Sequence, residues 1–395
     1  MTAKSFLHVG LVVLACVTHA TMAGEMDIKA QYKGNAKSAD IIFATPITGE
    51  DSYCTGYGCA PDEGSIPLPW ENNEHENNES AEKDVVKSSQ PKDGIYAGFD
   101  ASWHMVAVQN QRGDSRSVMF RVAGIGFGVS DGPYAWNWYG QCTQAQYWSR
   151  APWYYYLLRA NKSGSVECWQ PFSESRSDKL KFSLISLFFE FKLDHPSAWS
   201  PGNYTGTYGS FRVGPGGDLD LGNNFHGNGG DFPINFNIDV SQDLYVNFHT
   251  ALLGQVVNAD LQPSGGWLNW QGKMPPSLSD DLQFDFGTSG PVKIHLNCEH
   301  PVGDTCGIVD LKGGDSVLGV DTLLTDSRLN DDSGKQAIHS RLSANDRLFT
   351  PNTETGTGIQ PAHLLFKTQD GVTQQMQAGH QYGGRVTIVF DSNVN

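Results

Sequence analysis

The stretch AGHQYGGRVTIVF, Ala378 to Phe390, decides the fold and lies five residues before the last residue of the chain. Its glycine pair, Gly383 and Gly384, predicts a turn. From Arg385 onward side chains alternate in character, which predicts a β-strand. One face of this strand carries Val386, Ile388 and Phe390, and the other carries Arg385, Thr387 and Val389. Because no further strand follows it, we expect one sheet edge to be open.

This pattern resembles the closing strand of bacterial chaperone–usher pilus subunits. Upstream, SGPVKIHLNCE (289–299) resembles the inner strand that precedes a cysteine in many of these domains. VVNADLQPSGG (256–266) resembles the opening of the pilin domain in two-domain tip adhesins. The chain departs from the family at its end, since many pilins carry a tyrosine next to last and this sequence ends DSNVN.

The resemblance implies an immunoglobulin-like sandwich that lacks one strand. A periplasmic pilus chaperone, and then the adjacent pilus subunit, would add the missing strand beside Arg385 to Phe390. It also implies an outer-membrane usher as a partner, export through the periplasm, and a place at the tip of a pilus (fimbrium) on the cell surface. The pattern by itself also fits an ordinary edge strand of another secreted β-sandwich.

The composition predicts an all-β chain of two sandwich domains. The sequence has 44 glycines and 19 prolines, and no long window shows the apolar period of an amphipathic helix. We expect a jelly-roll or Ig-like, lectin-like domain over residues 24–250 and an incomplete Ig-like pilin domain over 256–395. Strands of the second domain are predicted at 282–286, 291–298, 306–311, 316–324, 336–342, 362–368 and 384–390.

The N-terminus predicts a secretory signal peptide. Lys4 precedes an apolar run from Phe6 to Val17, and small residues follow at Thr21 and Ala23, so cleavage is expected after residue 23. The run is too short to span a bilayer. Residues 13–16 also loosely match a lipoprotein cleavage box, and acylation of Cys16 would make the chain a surface lipoprotein.

Six cysteines remain once Cys16 is set aside, and they fall into three neighbouring couples. Several connectivities are open to six cysteines, and pairing along the sequence is preferred because each couple lies in one region. An even number behind a signal peptide indicates an oxidising compartment. The preferred disulfides are Cys54 with Cys59, Cys142 with Cys168, and Cys298 with Cys306.

Charge and motifs exclude several classes of function. The net charge is −16 without a basic cluster, which argues against nucleic acid as a partner. No CxxC or HExxH zinc motif, P-loop or G-x-S-x-G elbow occurs, so neither a metal nor a cofactor is expected. Three aspartates in the glycine-rich run 214–231 leave a calcium site open, but a loop is favoured because EF-hand spacing is absent.

The stretch from Asp131 to Trp169 contains half of the ten tryptophans. Aromatic faces stack on sugar rings, and polar side chains beside them bind the hydroxyls, so this stretch predicts a glycan site. About half of these rings are nevertheless expected in the core, since tryptophan is usually well buried. The candidate ligand-binding residues are Asp131, Trp136, Asn137, Trp138, Tyr139, Gln141, Trp148, Arg150 and Trp153.

Other segments give coarser predictions. Residues 71–93 hold almost no large apolar side chain, so we expect an exposed loop or a disordered insert. Lys179 to Leu193 is the most apolar strand region of the mature chain, and its broken alternation at Phe188 suggests a bulge or burial on both faces. Ile234 to Phe248 alternates cleanly and is expected to close the first domain, with the boundary near 249–256.

Together these observations favour a two-domain fimbrial tip adhesin that binds a host cell-surface glycan through its first domain and joins the pilus through its second. No catalytic residue is assigned. The alternative is a secreted carbohydrate-active enzyme, or a surface lipoprotein, with a carbohydrate-binding sandwich. The enzyme would need a carboxylate pair, for which Asp131, Glu167 and Glu190 are the nearest acids.

Overall fold

The protein, seen in a computed structural model, is built almost wholly of strands, so the prediction of an all-β chain is confirmed. The structure describes residues 24–37, 42–44, 52–55, 59–60, 62–73, 76–130, 132, 137–249, 256–272, 274–314, 316–352 and 358–392. The predicted signal peptide, Cys16, Asp131 and Trp136 lie outside these residues. Within the described ranges, no helix is long and apolar enough to cross a membrane.

Sixteen of the described strands form the first unit. They are β1 (Met26–Lys33), β2 (Ile42–Ala44), β3 (Glu63–Pro67), β4 (Ala81–Lys83), β5 (Ile95–Asp100), β6 (His104–Asn110), β7 (Ser115–Ser130), β8 (Tyr139–Gly140), β9 (Cys142–Arg150), β10 (Trp153–Ala160), β11 (Ser165–Gln170), β12 (Leu180–Leu193), β13 (Gly202–Val213), β14 (Leu219–Asp220), β15 (Phe225–His226) and β16 (Gly230–Ser241). A short helix, α1 (Ser52–Thr55), lies between β2 and β3.

The main core of this unit is formed by apolar side chains that alternate with polar ones along its strands. In β16 the residues Ile234, Phe236 and Ile238 are buried, while the residues between them face outward. β1 runs parallel to β16 and adds Ile28 to the same core. The N-terminal strand therefore closes on the strand that ends the first unit.

A smaller core lies on the other side of β7, β10 and β12. It contains Tyr53 of α1 together with Trp153, Tyr155 and Phe188. A Cβ atom at Gly126 of β7 would lie 2.7 Å from the ring of Tyr53, so only glycine leaves room for that ring. The pairing of β12 with β7 shifts register between Phe188 and Phe189, and these neighbouring rings lie on opposite faces, in the two different cores. Both alternatives predicted for this strand, a bulge and burial on both faces, are present.

The prediction of an exposed insert at residues 71–93 is wrong for its central part, from Ala81 to Val85. β4 pairs with β12, and Ala81, Lys83 and Val85 are buried. The Lys83 ammonium donates to the carbonyl oxygens of Lys92, Leu221 and Asn223 at 3.1, 3.1 and 2.6 Å. Counting apolar residues does not reveal that this segment is buried, because the aliphatic stem of Lys83 packs in the core while its ammonium group is hydrogen-bonded to backbone carbonyls.

Eleven of the described strands form the second unit. They are β17 (Leu244–Asn247), β18 (Ser279–Thr288), β19 (Val292–Cys298), β20 (Pro301–Val302), β21 (Thr305–Asp310), β22 (Leu318–Asn330), β23 (Gln336–Arg341), β24 (Arg347–Pro351), β25 (Gln360–Thr368), β26 (Tyr382–Gly383) and β27 (Val386–Asp391). All seven strands predicted here are found, with shifted ends, and β17, β20, β24 and β26 are additional.

The transition between the units lies earlier than predicted. Leu244 to Asn247 pairs with β18 of the second unit, so the expectation that Ile234 to Phe248 closes the first domain is wrong for its last part. The chain changes sheets between Ser241 and Leu244. Apolar and polar residues continue to alternate across this break, and for that reason the sequence predicts a single strand.

Backbone contacts at this transition join the two units. Asp243 N–H donates to Ser289 Oγ at 2.7 Å, and Ser289 N–H donates to the carbonyl of Asp243 at 3.0 Å. Gly34, just after β1, approaches so closely that a Cβ there would lie 2.2 Å from Ser289 Oγ. The end of β1 and the start of β19 thus meet at one junction.

The cysteines are joined in the sequential pairs. The disulfides are Cys54–Cys59, Cys142–Cys168 and Cys298–Cys306. The first fastens α1 beside the smaller core, the second joins β9 to β11, and the third joins the end of β19 to β21.

Candidate functional site

The last strand lies at an open edge, as predicted. β27 pairs antiparallel with β19, from Val386 opposite Cys298 to Asp391 opposite Lys293. In the described part of the chain its other side has no strand partner. The opposite edge of the unit is β17, which covers only residues 285–288 of β18.

Apolar side chains remain half-buried between these two edges. Val386, Ile388 and Phe390 of β27 face the core, as the sequence predicted, yet each keeps part of its surface exposed. Leu282 and Phe248 on the β17–β18 side are also half-buried against this core. We name the strip formed by these five residues and Leu261 the open groove.

Aromatic rings line the floor of the open groove. Phe248 stacks on Phe284 with centroids 4.9 Å apart, and Phe390 lies 5.9 Å from Phe284 and 5.6 Å from Phe286. Phe284 and Phe286 are fully buried, whereas Phe390 is not. A strand with alternating apolar residues could pair with β27 and cover these rings.

The glycine pair before β27 sets where this edge begins. β26, which contains Gly383, pairs with β21, and a Cβ at Gly384 would lie 2.5 Å from the carbonyl oxygen of Gly307. Arg385 then exchanges hydrogen bonds with Glu299, at 3.0 Å through backbone and 2.9 Å through the Glu299 carboxylate. The close approach requires glycine at 384, whereas the predicted turn is not at this pair, because Gly383 lies in β26 and the turn lies earlier, at Ala378 and Gly379.

The predicted glycan residues do not form one surface. Trp153 is buried in the smaller core, and Trp148 stacks on Tyr155 at 4.9 Å beside it. Trp138 packs edge-on against Phe127 and Tyr156 of the main core. These three rings therefore contribute to two cores, consistent with the expectation that about half the aromatic residues are structural.

Tyr139 has the opposite placement and is 44% exposed. It stacks on Trp169 of β11 with centroids 4.8 Å apart and an interplanar angle of 26°. Trp169 lies directly opposite Tyr96 of β5 in the same sheet. We name Tyr139, Trp169 and Tyr96 the aromatic ladder, since three adjacent strands bring one ring each to the same face.

Polar groups surround the aromatic ladder. The Tyr96 hydroxyl donates to Glu167 Oε1 at 2.7 Å, and burial together with this bond raises the pKa of Tyr96. The Lys92 ammonium lies 5.4 Å from the Tyr96 ring centroid and 2.7 Å from Asp220 Oδ2, a bond that raises the pKa of Lys92. The rings thus have fixed hydrogen-bonding groups beside them, as binding sites for polar ligands do.

Of the remaining predicted residues, Asn137 and Arg150 are exposed. Gln141 is structural, because its Oε1 accepts from Glu167 N–H at 3.1 Å and its carbonyl accepts from Asn161. Tyr96 and Lys92 were missed, since they lie far upstream in a segment without aromatic clustering. Only the pairing of β5 with β11 brings them to Trp169.

Two of the three acids considered for catalysis, Glu167 and Glu190, have partners, and Asp131 lies outside the described residues. Glu167 accepts from Tyr96, and Glu190 accepts two bonds from Arg121 at 2.9 and 2.6 Å. In the glycine-rich run, Asp220 pairs with Lys92 and Asp218 accepts from Arg212 N–H. Across the described residues, no group of three His, Cys, Asp or Glu side chains is placed to hold a metal ion.

No protein-family model matches the chain, and no curated protein matches it in sequence. Among solved structures, the chain is similar to a chaperone–tip adhesin complex of CFA/I fimbriae biogenesis at 11% identity and a TM-score of 0.26, covering 93% of this chain and 96% of that one. It is also similar to the CsuC–CsuE chaperone–tip adhesion subunit pre-assembly complex of Acinetobacter baumannii, at 14% identity and a TM-score of 0.22, covering 93% and 99%.

A family GH78 rhamnosidase of Bacillus sp. GL1 matches at 8% identity and a TM-score of 0.15, over 74% of this chain and 32% of that one. Because all these identities and TM-scores are low, the likenesses carry no argument about function. The open groove and the aromatic ladder are the two features of this chain from which a function can be inferred.

Proposed function

We propose that the chain is a chaperone–usher pilus adhesin whose second unit is completed by a β-strand from another protein. The observation that carries the proposal is the open groove, where an edge strand and a half-buried apolar strip lie side by side. Strand addition would give the outer edge of β27 a backbone partner and cover Val386, Ile388 and Phe390. The donor would be a periplasmic chaperone first and an adjacent pilus subunit later, with an outer-membrane usher between them.

The first unit is the receptor-binding part in this proposal. The exposed ring of Tyr139, supported by Trp169, offers a flat surface for a sugar ring, and Glu167 and Lys92 offer hydrogen-bonding groups. The receptor would be a glycan of a host cell surface. The adhesin would lie at the pilus tip. Each adhesin would bind its glycan weakly, and simultaneous binding by many pili would raise the overall avidity.

A self-complemented variant tests the strand-addition proposal. A turn and a strand with Val and Ile at alternate positions are appended after Asn395, and a control carries Ser at those positions. We expect the alternating strand to raise the thermal midpoint of the second unit and to slow amide exchange in Val386 to Asp391. Equal behaviour of the two appended strands would refute it.

A glycan array tests the receptor proposal with the full chain. Trp169→Ala and Tyr139→Ala should each lower binding to any glycan retained by the wild type about tenfold or more, since stacking and the support beneath it are lost. Tyr147→Ala is the matched control, because Tyr147 is similarly exposed at 41% but lies outside the aromatic ladder. Binding that survives both ladder variants would remove these side chains from the site.

A further inference from the structure

A rigid apolar projection stands on the second unit, outside its core. Leu268 is fully exposed at 102% and Trp267 is 53% exposed. Val256 and Met274, on the same segment, are 68% and 45% exposed. We name Trp267 and Leu268 the apolar knob. Large apolar side chains grouped on a surface mark an interaction site far better than exposed single residues do.

Tight turns hold the apolar knob in place. Gly265 and Gly266 have φ of 84° and 77°, which only glycine adopts readily, and they direct the chain into a 3₁₀ turn over Trp267–Asn269. The Asn269 side chain donates to the carbonyl of Gly265 at 2.8 Å, and Gly266 N–H donates to Pro263 at 2.8 Å. A partner would thus meet a backbone turn that is already formed, which lowers the ordering cost of binding.

The apolar knob lies at the end of the second unit that faces away from the first. Its segment joins β18 through the bridge between Gln262 and Ser279, at the start of that strand. The junction with the first unit lies at the other end of β18, beside Ser289. A strand of this length spans roughly 30 Å, which separates the two ends.

The open groove runs between these same two ends. Phe390 pairs opposite Ile294 near the junction, whereas Val386 pairs opposite Cys298 at the far end. Leu261, in the segment that carries the apolar knob, packs against the same core as Val386. Because the first unit occupies the junction end, the body of a protein that lays a strand in the groove has room at the far end.

We propose that the apolar knob is a docking surface for the body of the periplasmic chaperone that first donates the missing strand, next to the point where that strand enters. This rests on the strand-addition proposal and adds a second contact to it. Negative charge at Asp260, Asp280 and Asp281, where the segment of the knob joins β18, disfavours an anionic lipid surface as the occupant. Tryptophan and leucine held on a turn fit an apolar pocket on a protein.

Site-specific photocrosslinking in the cells that produce the full chain tests this inference. A benzophenone amino acid is placed at Leu268, at Thr387 on the open edge, and at Ile338, which is 49% exposed on β23 and serves as the control. We expect Thr387 and Leu268 to capture the same polypeptide, identified by mass spectrometry, and Ile338 not to capture it. With the probe at Thr387, Trp267→Ala combined with Leu268→Ala should lower capture about tenfold.

The outcomes separate the two proposals. If Thr387 captures no protein, strand addition fails and the docking inference fails with it. If Thr387 captures a protein but Leu268 captures lipid, a second copy of this chain, a different protein or nothing, only the docking inference is overturned. An unchanged yield at Thr387 in the double variant would overturn it as well.

Discussion

The ring of Phe390 lies 5.6 Å from that of Phe286, centroid to centroid, so the last strand of the chain reaches across the sandwich into its core. Phe286 is 1% exposed, whereas Phe390 is half-buried. Phe390 therefore packs against the core while part of its surface remains exposed on the edge strand. The strength of this contact can be measured.

Phe390→Ala should lower the free energy of unfolding of the second unit by about 2 kcal/mol, because a half-buried ring is removed from the core. Val389→Ala, one residue away on the other face of β27, should cost clearly less. Amide exchange in β19 and β25, followed with denaturant, measures both. Equal losses would show that Phe390 does not anchor the strand.

Gly126→Ala should destabilise the first unit by about 1–3 kcal/mol, since the new methyl group would lie 2.7 Å from the Tyr53 ring. Gly209→Ala is the matched control, because a Cβ there meets nothing within 4 Å. Thermal unfolding measured by near-ultraviolet circular dichroism compares the two. A large loss in the control would point to the strand backbone and not to the ring contact.

Lys83 should make stability depend on pH in the alkaline range. Burial lowers the pKa of Lys83 from 10.5 to about 8. Between those pH values the unfolded chain binds a proton that the folded chain has released, so raising the pH favours the folded state. From pH 8 to pH 10 the wild type should gain about 2 kcal/mol relative to Lys83→Met. The free energies of unfolding of both proteins are measured by urea titration at each pH. If they changed in parallel between pH 8 and pH 10, the prediction would be wrong.

Gly34→Val should loosen the junction between the units, since a Cβ at Gly34 would lie 2.2 Å from Ser289 Oγ and 2.4 Å from its Cβ. We expect a cost of about 1–3 kcal/mol and a larger radius of gyration in small-angle scattering. Adding Ser289→Gly should restore both values in part. If Ser289→Gly did not restore either value, the strain caused by Gly34→Val would lie at a contact other than the one with Ser289.

The sequence predicted the second unit well because its strands alternate and are bounded by turn residues. The alternation from Val386 to Phe390 predicted both that this segment is a strand and which of its side chains face the core. The register between paired strands could not be predicted from the sequence. The break between Ser241 and Leu244 was not predicted because the alternation of apolar and polar residues continues through it. The buried Lys83 was missed because its acceptors are backbone carbonyls from distant segments.

The aromatic stretch shows the same limit at the candidate site. Its composition indicated an unusual concentration of rings, but the sequence neighbours Trp138 and Tyr139 have different surroundings, since Trp138 packs on the main core and Tyr139 is exposed and stacks on Trp169. Which of them enters a core depends on the partner strands, and local pattern does not contain that information. Trp169 and Tyr96 come together only through the pairing of β5 with β11.

The parallel pairing of β1 with β16 has a consequence for biogenesis. Met26 finds its neighbour Ile234 only after on the order of two hundred further residues have been synthesised. During synthesis the opening strand can therefore pair only with β2, through Gln31 to Lys33, until nearly all of its own domain has been made. A translation arrest placed before residue 234 should leave a protease-sensitive chain, and one placed well after residue 241 should not.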